Sequence, residues 1–196
     1  MMPGAGTRPA SPAIREKPTL AMKGFLAVAI IIGYEWFISG VVKFVRGNFP
    51  SGLGEELLKK APEMAAWYGG FITSAVIPNG VLAGYAIEIA ELLAGIALIG
   101  GPLMWLFAWS RLSDRVRSLV LLAMAVAAIG GTFLAINLHL ANGGSHPWLL
   151  PLDPDDEGID LDSVLPAMQL VIATVTLIVL RRLRDPRLDT ASPRRA

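Results

Sequence analysis

The sequence predicts an all-α integral membrane four-helix bundle with an extra interfacial helix in the first outer loop. Three observations carry that expectation. Of 196 residues, 54% are hydrophobic and only 17% charged, with a mean hydropathy of +0.55, whereas a typical soluble domain is about 25% charged. Four apolar runs are each long enough for a hydrocarbon core of roughly 30 Å, which takes about 20 helical residues. The basic residues cluster at alternate ends of those runs, as they do when one side of a membrane holds them.

The runs are Met22–Phe44, Gly80–Ile99, Leu119–Leu140 and Val164–Leu180. The last is short, and Asp160–Ser163 extends it by a turn. The first is too long for the apolar core of a cleaved signal peptide, and no small-x-small cleavage site follows it. Residues 21–184 then form one membrane domain between a cytoplasmic tail at 1–20 and a basic cytoplasmic tail at 185–196. The N-terminal tail, the middle connection and the C-terminal tail hold four, three and six Lys or Arg. The opposite side holds three: Arg46, Lys59 and Lys60. The positive-inside rule puts both termini in the cytoplasm of a bacterial or archaeal-type cell membrane.

Between the first two runs, residues 46–79 are too many for a simple turn. Gly54–Tyr68 places Leu57, Leu58, Ala61, Met64 and Ala65 at helical spacing, with Trp67 and Tyr68 as interfacial aromatics. Pro78-Asn79-Gly80 predicts a break before the second span. Pro102–Arg117 reads as the cytoplasmic connection, with Trp105 and Trp109 as interfacial anchors. The acidic stretch 153–162 resembles the front of a calcium loop but has Val164 where a bidentate Glu is required. It reads as an exposed negative loop, with Asp160 or Asp162 capping the fourth span.

Some functions are excluded at this level. A net charge of +1 leaves no basic excess for nucleic acid. The absence of cysteine removes disulfides, thiolate metal sites and thiol redox chemistry. There is no metal, haem or flavin motif.

The informative residues are ionisable groups inside apolar runs. A charge at the bilayer centre costs at least ~2.5–3.5 kcal/mol, so such groups are expected to face the bundle interior or a water-filled cavity. Glu35 and Lys43 lie in the first run, Glu88 and Glu91 in the second. At about 1.5 Å per residue, Glu35 is roughly 12 Å deeper than Lys43, and Glu88 is as deep as Glu35. Glu88 and Glu91 share a face at i, i+3. Antiparallel neighbours would therefore gather Glu35, Glu88 and Glu91, with Lys43 at the mouth. Low dielectric and mutual repulsion make such carboxylates candidate proton carriers. Asn137 and His139 near the outer end of the third run make the polar set open outward. The same residues admit a structural reading, a buried ion-pair network that fixes helix packing.

GYEWFISGVVKF (33–44) and EIAELLAGIALIGG (88–101), with a helical outer loop between them, resemble the DoxX/DoxD family of small four-helix membrane proteins. The resemblance covers roughly residues 24–180. It implies the membrane subunit of a thiosulfate:quinone oxidoreductase, an enzyme that oxidises two thiosulfates to tetrathionate outside the cytoplasm and passes the electrons to quinone. Relatives are also linked to redox-stress complexes and to membrane-protein assembly.

On that resemblance, Glu35, Glu88 and Glu91 are the expected proton-transfer residues. Trp36, Tyr85 and Asn137 would hold the quinone, and Lys43, Arg46 and His139 would attract the thiosulfate dianion. Expected partners are membrane lipid, quinone, and a partner redox subunit or a second copy. The alternative is a non-catalytic binding or assembly subunit that holds a lipid, quinone or partner protein. A transporter is a third expectation, disfavoured by the lack of repeat signals or broken helices in matching halves.

Overall fold

The structure is a computed structural model and describes residues 18–144 and 161–185. Among these, four long helices form an all-α bundle, each long and apolar enough to cross a membrane. They are α1 (Leu20–Arg46), α4 (Gly80–Phe107), α5 (Asp114–Ala141) and α6 (Leu161–Arg184). Two short helices, α2 (Phe49–Lys60) and α3 (Ala66–Phe71), sit between α1 and α4 and cover one end of the bundle, called the capped end below.

The helices begin and end where local chemistry dictates. Thr19 accepts from Met22 N at 3.3 Å and caps α1, and Ser113 accepts from Val116 N at 3.4 Å and caps α5. Gly47 ends α1 at φ 68°, donating its N–H to Lys43 O. The spans are longer than the apolar runs because amphipathic ends stay helical: α1 has 27 residues and α4 has 28. α4 runs through the buried Pro102, a residue that neighbouring helices render tolerable in a membrane span. The connection expected from Pro102 therefore shrinks to residues 108–113.

α1 lies against α4 and α5 against α6, with α4 and α5 joining the pairs. Small residues close the contacts of α4 with α1 and with α2. A Cβ on Gly95 would stand 2.6 Å from the Phe37 backbone, and one on Gly84 would stand 2.4 Å from Pro50 Cα at the capped end. Without a hydrophobic drive between helices in lipid, such close approach is what dispersion packing needs.

Three clusters fill the bundle. The middle one is built largely from alanine around Ile32, Trp36, Leu98 and Ile172. At the end opposite the cap, Trp105 and Trp109 stack at 4.4 Å among Leu26, Leu121, Met124, Leu180 and Leu183. These indoles are buried, which corrects the expectation of interfacial anchors. The Arg117 guanidinium lies 5.7 Å from the Trp109 ring centroid and donates to Trp109 O and Asp114 Oδ1.

The loop helix also differs from expectation. Pro62 and the extended Met64 break Gly54–Tyr68 in two, and helix begins earlier, at Phe49. Leu53, Leu57, Met64 and Tyr68 pack inward with Ile72 and Leu140, while Leu58 and Trp67 face out. Instead of a break at Pro78, a π turn (Ile72–Val76) and a 3-10 turn (Ile77–Asn79) carry helical backbone on into α4. The tails, the acidic stretch 153–160 and the capping of α6 lie outside the residues whose side chains are described.

Candidate functional site

α4 positions the buried acidic pair. Glu88 and Glu91 fall on its inward stripe with Gly84, Ala94, Gly95 and Leu98, and both side chains are buried. Glu91 has no exposed surface, and its Oε1 accepts from the Lys43 ammonium of α1. Lys43 is also held by Ser39 Oγ at 2.9 Å, one turn back on α1, and lies 5.0 Å from the Phe49 ring centroid on α2. Three elements therefore fix one ammonium. Glu91 Oε2 is buried with no hydrogen-bond partner among the described residues. Glu88 lies about one turn nearer the cap and makes no hydrogen bond or ion pair among those residues.

Glu35 departs from the expected cluster. It is exposed on the outer side of α1, among the exposed Ile31, Tyr34 and Ile38. The inward stripe of α1 is Leu26, Ala29, Ile32, Gly33, Trp36 and Gly40, and position 35 falls off it. The three carboxylates do not converge; two of them and Lys43 make the buried set.

Lys43 lines a cavity of about 850 Å³ at the capped end, bounded by α1, α2, α3 and α5. Arg46 and Lys60 add two further cations, and Glu56 is the carboxylate among its lining residues. Lys60 is shared with Glu56 at 3.1 Å and Asn142 Oδ1 at 3.0 Å; exposed pairs of this kind contribute little to stability. Phe49, Leu53, Leu57 and Ile72 supply apolar wall, so the pocket is amphipathic. Its volume is in the ~300–1,000 Å³ range of small-molecule sites.

Tyr68 and Asn137 brace the pocket. The Tyr68 hydroxyl lies 3.0 Å from Asn137 O and 3.1 Å from Asn137 Oδ1, while Asn137 Nδ2 donates to Phe133 O at 2.7 Å. Asn137 thus ties α3 to α5. The expected ring-holding set is dispersed. Trp36 is buried in the bundle, Tyr85 is exposed on the outer side of α4, and Asn137 lines the capped-end pocket. His139 is outside that pocket's lining and packs against Gly144.

Ser39, Tyr68 and Gln169 were missed from sequence. Ser39 was legible at i−4 from Lys43, and Gln169 as a lone amide in an apolar span. Tyr68 was visible as an aromatic, but its inward direction follows from the break at Met64.

The fold and pocket define a polytopic helical membrane protein with an amphipathic, cation-bearing cavity at one end. Comparison with family models, curated proteins and solved structures finds no match.

Proposed function

We propose that the protein is the membrane subunit of a quinone-linked oxidoreductase of the thiosulfate:quinone type, with the capped-end cavity as its anion site. The observation that carries this reading is the Lys43 ammonium, held by buried Glu91, in the wall of a cavity that Arg46 and Lys60 also line. The likeness of residues 33–44 and 88–101 to DoxX/DoxD proteins supports the same assignment. Two thiosulfate dianions repel each other, and three lining cations reduce that repulsion. Each thiosulfate gives up one electron as an S–S bond forms between their terminal sulfurs. The two electrons and two protons convert quinone to quinol. A partner redox subunit carries the electrons, and Glu88 and Glu91 are the carboxylates assigned to proton transfer, Glu91 reaching the cavity through its contact with the lining residue Lys43.

The positive-inside count supports an orientation with the capped end outside the cell and both termini in the cytoplasm of a bacterial or archaeal-type cell. In this cysteine-free chain, an impermeant thiol reagent should label Gly52→Cys in intact cells and spare Arg111→Cys; the reverse pattern contradicts the orientation.

A second reading, a non-catalytic binding or assembly subunit, is favoured by Glu35. A carboxyl group on an apolar outer stripe is costly in lipid, and a partner helix would cover it. Thiosulfate-dependent reduction of a short-chain quinone separates the two. Membranes that contain the chain with its partner subunit should turn over, and membranes lacking the chain should not. Equal rates in both contradict the oxidoreductase reading.

A further inference from the structure

A second cavity, of about 740 Å³, opens sideways between α4 and α5. Small residues make it, among them Ala86, Ala90, Ala97, Ala123, Ala127 and Gly130, and no charged side chain lines it. The exposed Leu93, Ile96, Val126 and Phe133 form its rim on the outer side of the bundle. It runs from Ala86 to Ala97 along α4 and from Ala123 to Leu134 along α5. Each stretch is roughly 16 Å at the helical rise. One leaflet of a hydrocarbon core of roughly 30 Å is about 15 Å deep, so the groove has the length of one acyl chain.

The groove continues into the capped-end cavity, because Ile87, Phe133 and Leu134 line both. One apolar slot therefore leads up to three cations. Two of them already hold a carboxylate: Lys43 holds Glu91, and Lys60 holds Glu56. Arg46, exposed at the last residue of α1, has no ion pair among the described residues. Its level follows from the contact of α1 with α4. A Cβ on Gly40 would stand 2.9 Å from Leu92 N. Arg46 lies a turn and a half nearer the cap than Gly40, which sets it level with Ala86, where the groove begins.

We infer that groove and cavity together hold one monoanionic phospholipid of the leaflet at the capped end, with an acyl chain between α4 and α5 and its phosphodiester on Arg46. Charge and depth select this occupant. A phosphodiester carries one negative charge, matching the one cation left uncompensated. The guanidinium fork takes two phosphate oxygens at once, and basic pockets between membrane helices hold anionic lipid heads. A zwitterionic head brings its own cation to the same place and gains less. The chain gains by dispersion against the alanine walls rather than by leaving water. A free anion gains nothing from an apolar groove. The inference does not rest on the oxidoreductase reading: lipid head and thiosulfate share cations, but only the lipid needs the groove.

Two variants test it in the full-length protein. Gly130→Leu fills the groove, and a Cβ there meets nothing within 4 Å, so the fold tolerates it. Arg46→Gln removes the charge at an exposed helix end. Native mass spectrometry from detergent, with phosphatidylglycerol or phosphatidylcholine of the same chains added, counts the lipids held per chain. The wild type should hold one phosphatidylglycerol about tenfold more tightly than phosphatidylcholine, the factor that one charge-assisted hydrogen bond carries. Arg46→Gln should remove that preference. Gly130→Leu should release both lipids and leave calorimetric thiosulfate binding unchanged.

Equal retention of the two lipids by the wild type overturns the inference, as does phosphatidylglycerol held at wild-type affinity in folded Gly130→Leu. So does a protein dimer that Gly130→Leu dissolves, because a second copy then fills the groove. Phosphatidylglycerol lost in Gly130→Leu, with no thiosulfate bound by the wild type, would keep the lipid site and sink the anion-site reading. Thiosulfate binding with lipid retention indifferent to Gly130→Leu would do the opposite.

Discussion

Lys43→Met should destabilise the protein by about 3–5 kcal/mol, the typical cost of removing one partner from a buried ion pair. Glu91 has no exposed surface and would be left without its only hydrogen-bonding partner among the described residues. The converse change should cost less. The Lys43 side chain is 20% exposed and lines the capped-end cavity, so in Glu91→Leu the ammonium can turn toward water along its flexible stem. The double variant Lys43→Met/Glu91→Leu should recover most of the loss, because well-packed apolar replacements of a buried pair are often neutral or stabilising. Thermal unfolding of the four proteins in one detergent gives the cycle. Equal, small losses in both single variants would mean that the pair is solvated and weak.

Gly95→Leu should have an effect of similar size for a different reason. Its Cβ would stand 2.6 Å from Phe37 Cα, Cβ and N. Backbone atoms cannot yield as a side-chain tip can, so α1 and α4 must separate. The misfit costs about 3 kcal/mol or more, and it breaks the contact that aligns Lys43 with Glu91. The expected result is a large fall in melting temperature with loss of monodisperse protein. Gly100→Leu is the control, because a Cβ there meets nothing within 4 Å. Matching stability in the two variants would show that α1 and α4 do not depend on this contact.

The spans were legible because hydropathy reports transfer into lipid directly, and α1, α4, α5 and α6 each contain their expected run. Facing was not. A soluble helix marks its inner side by an apolar stripe, but in lipid both sides are apolar. Glu35 and Trp36 are adjacent in sequence, yet one is exposed and the other buried. The sequence signal that separates them is the glycine pair Gly33 and Gly40, which marks the side of α1 that touches Leu98 and Leu92. Glu88 and Glu91 were placed correctly on one side because a spacing of three fixes them relative to each other. The aromatic rule failed at Trp105 and Trp109, since indoles at a helix end are equally suited to stacking on each other. Tyr68 depended on the chain break at Met64, a tertiary outcome of Pro62 and the packing of Leu57 and Leu140.

On the proposed reading, the Lys43–Glu91 pair anchors an anion-binding cavity as well as fixing helix register. The double variant Lys43→Met/Glu91→Leu separates these roles, because it keeps the packing and removes the charges. Thiosulfate binding to the wild type and to the folded double variant, measured by calorimetry at one ionic strength, is the direct test. Weakening of about tenfold or more, with melting temperature retained, is the predicted result; affinity equal to wild type in the folded double variant would contradict it and leave the pair as a packing element.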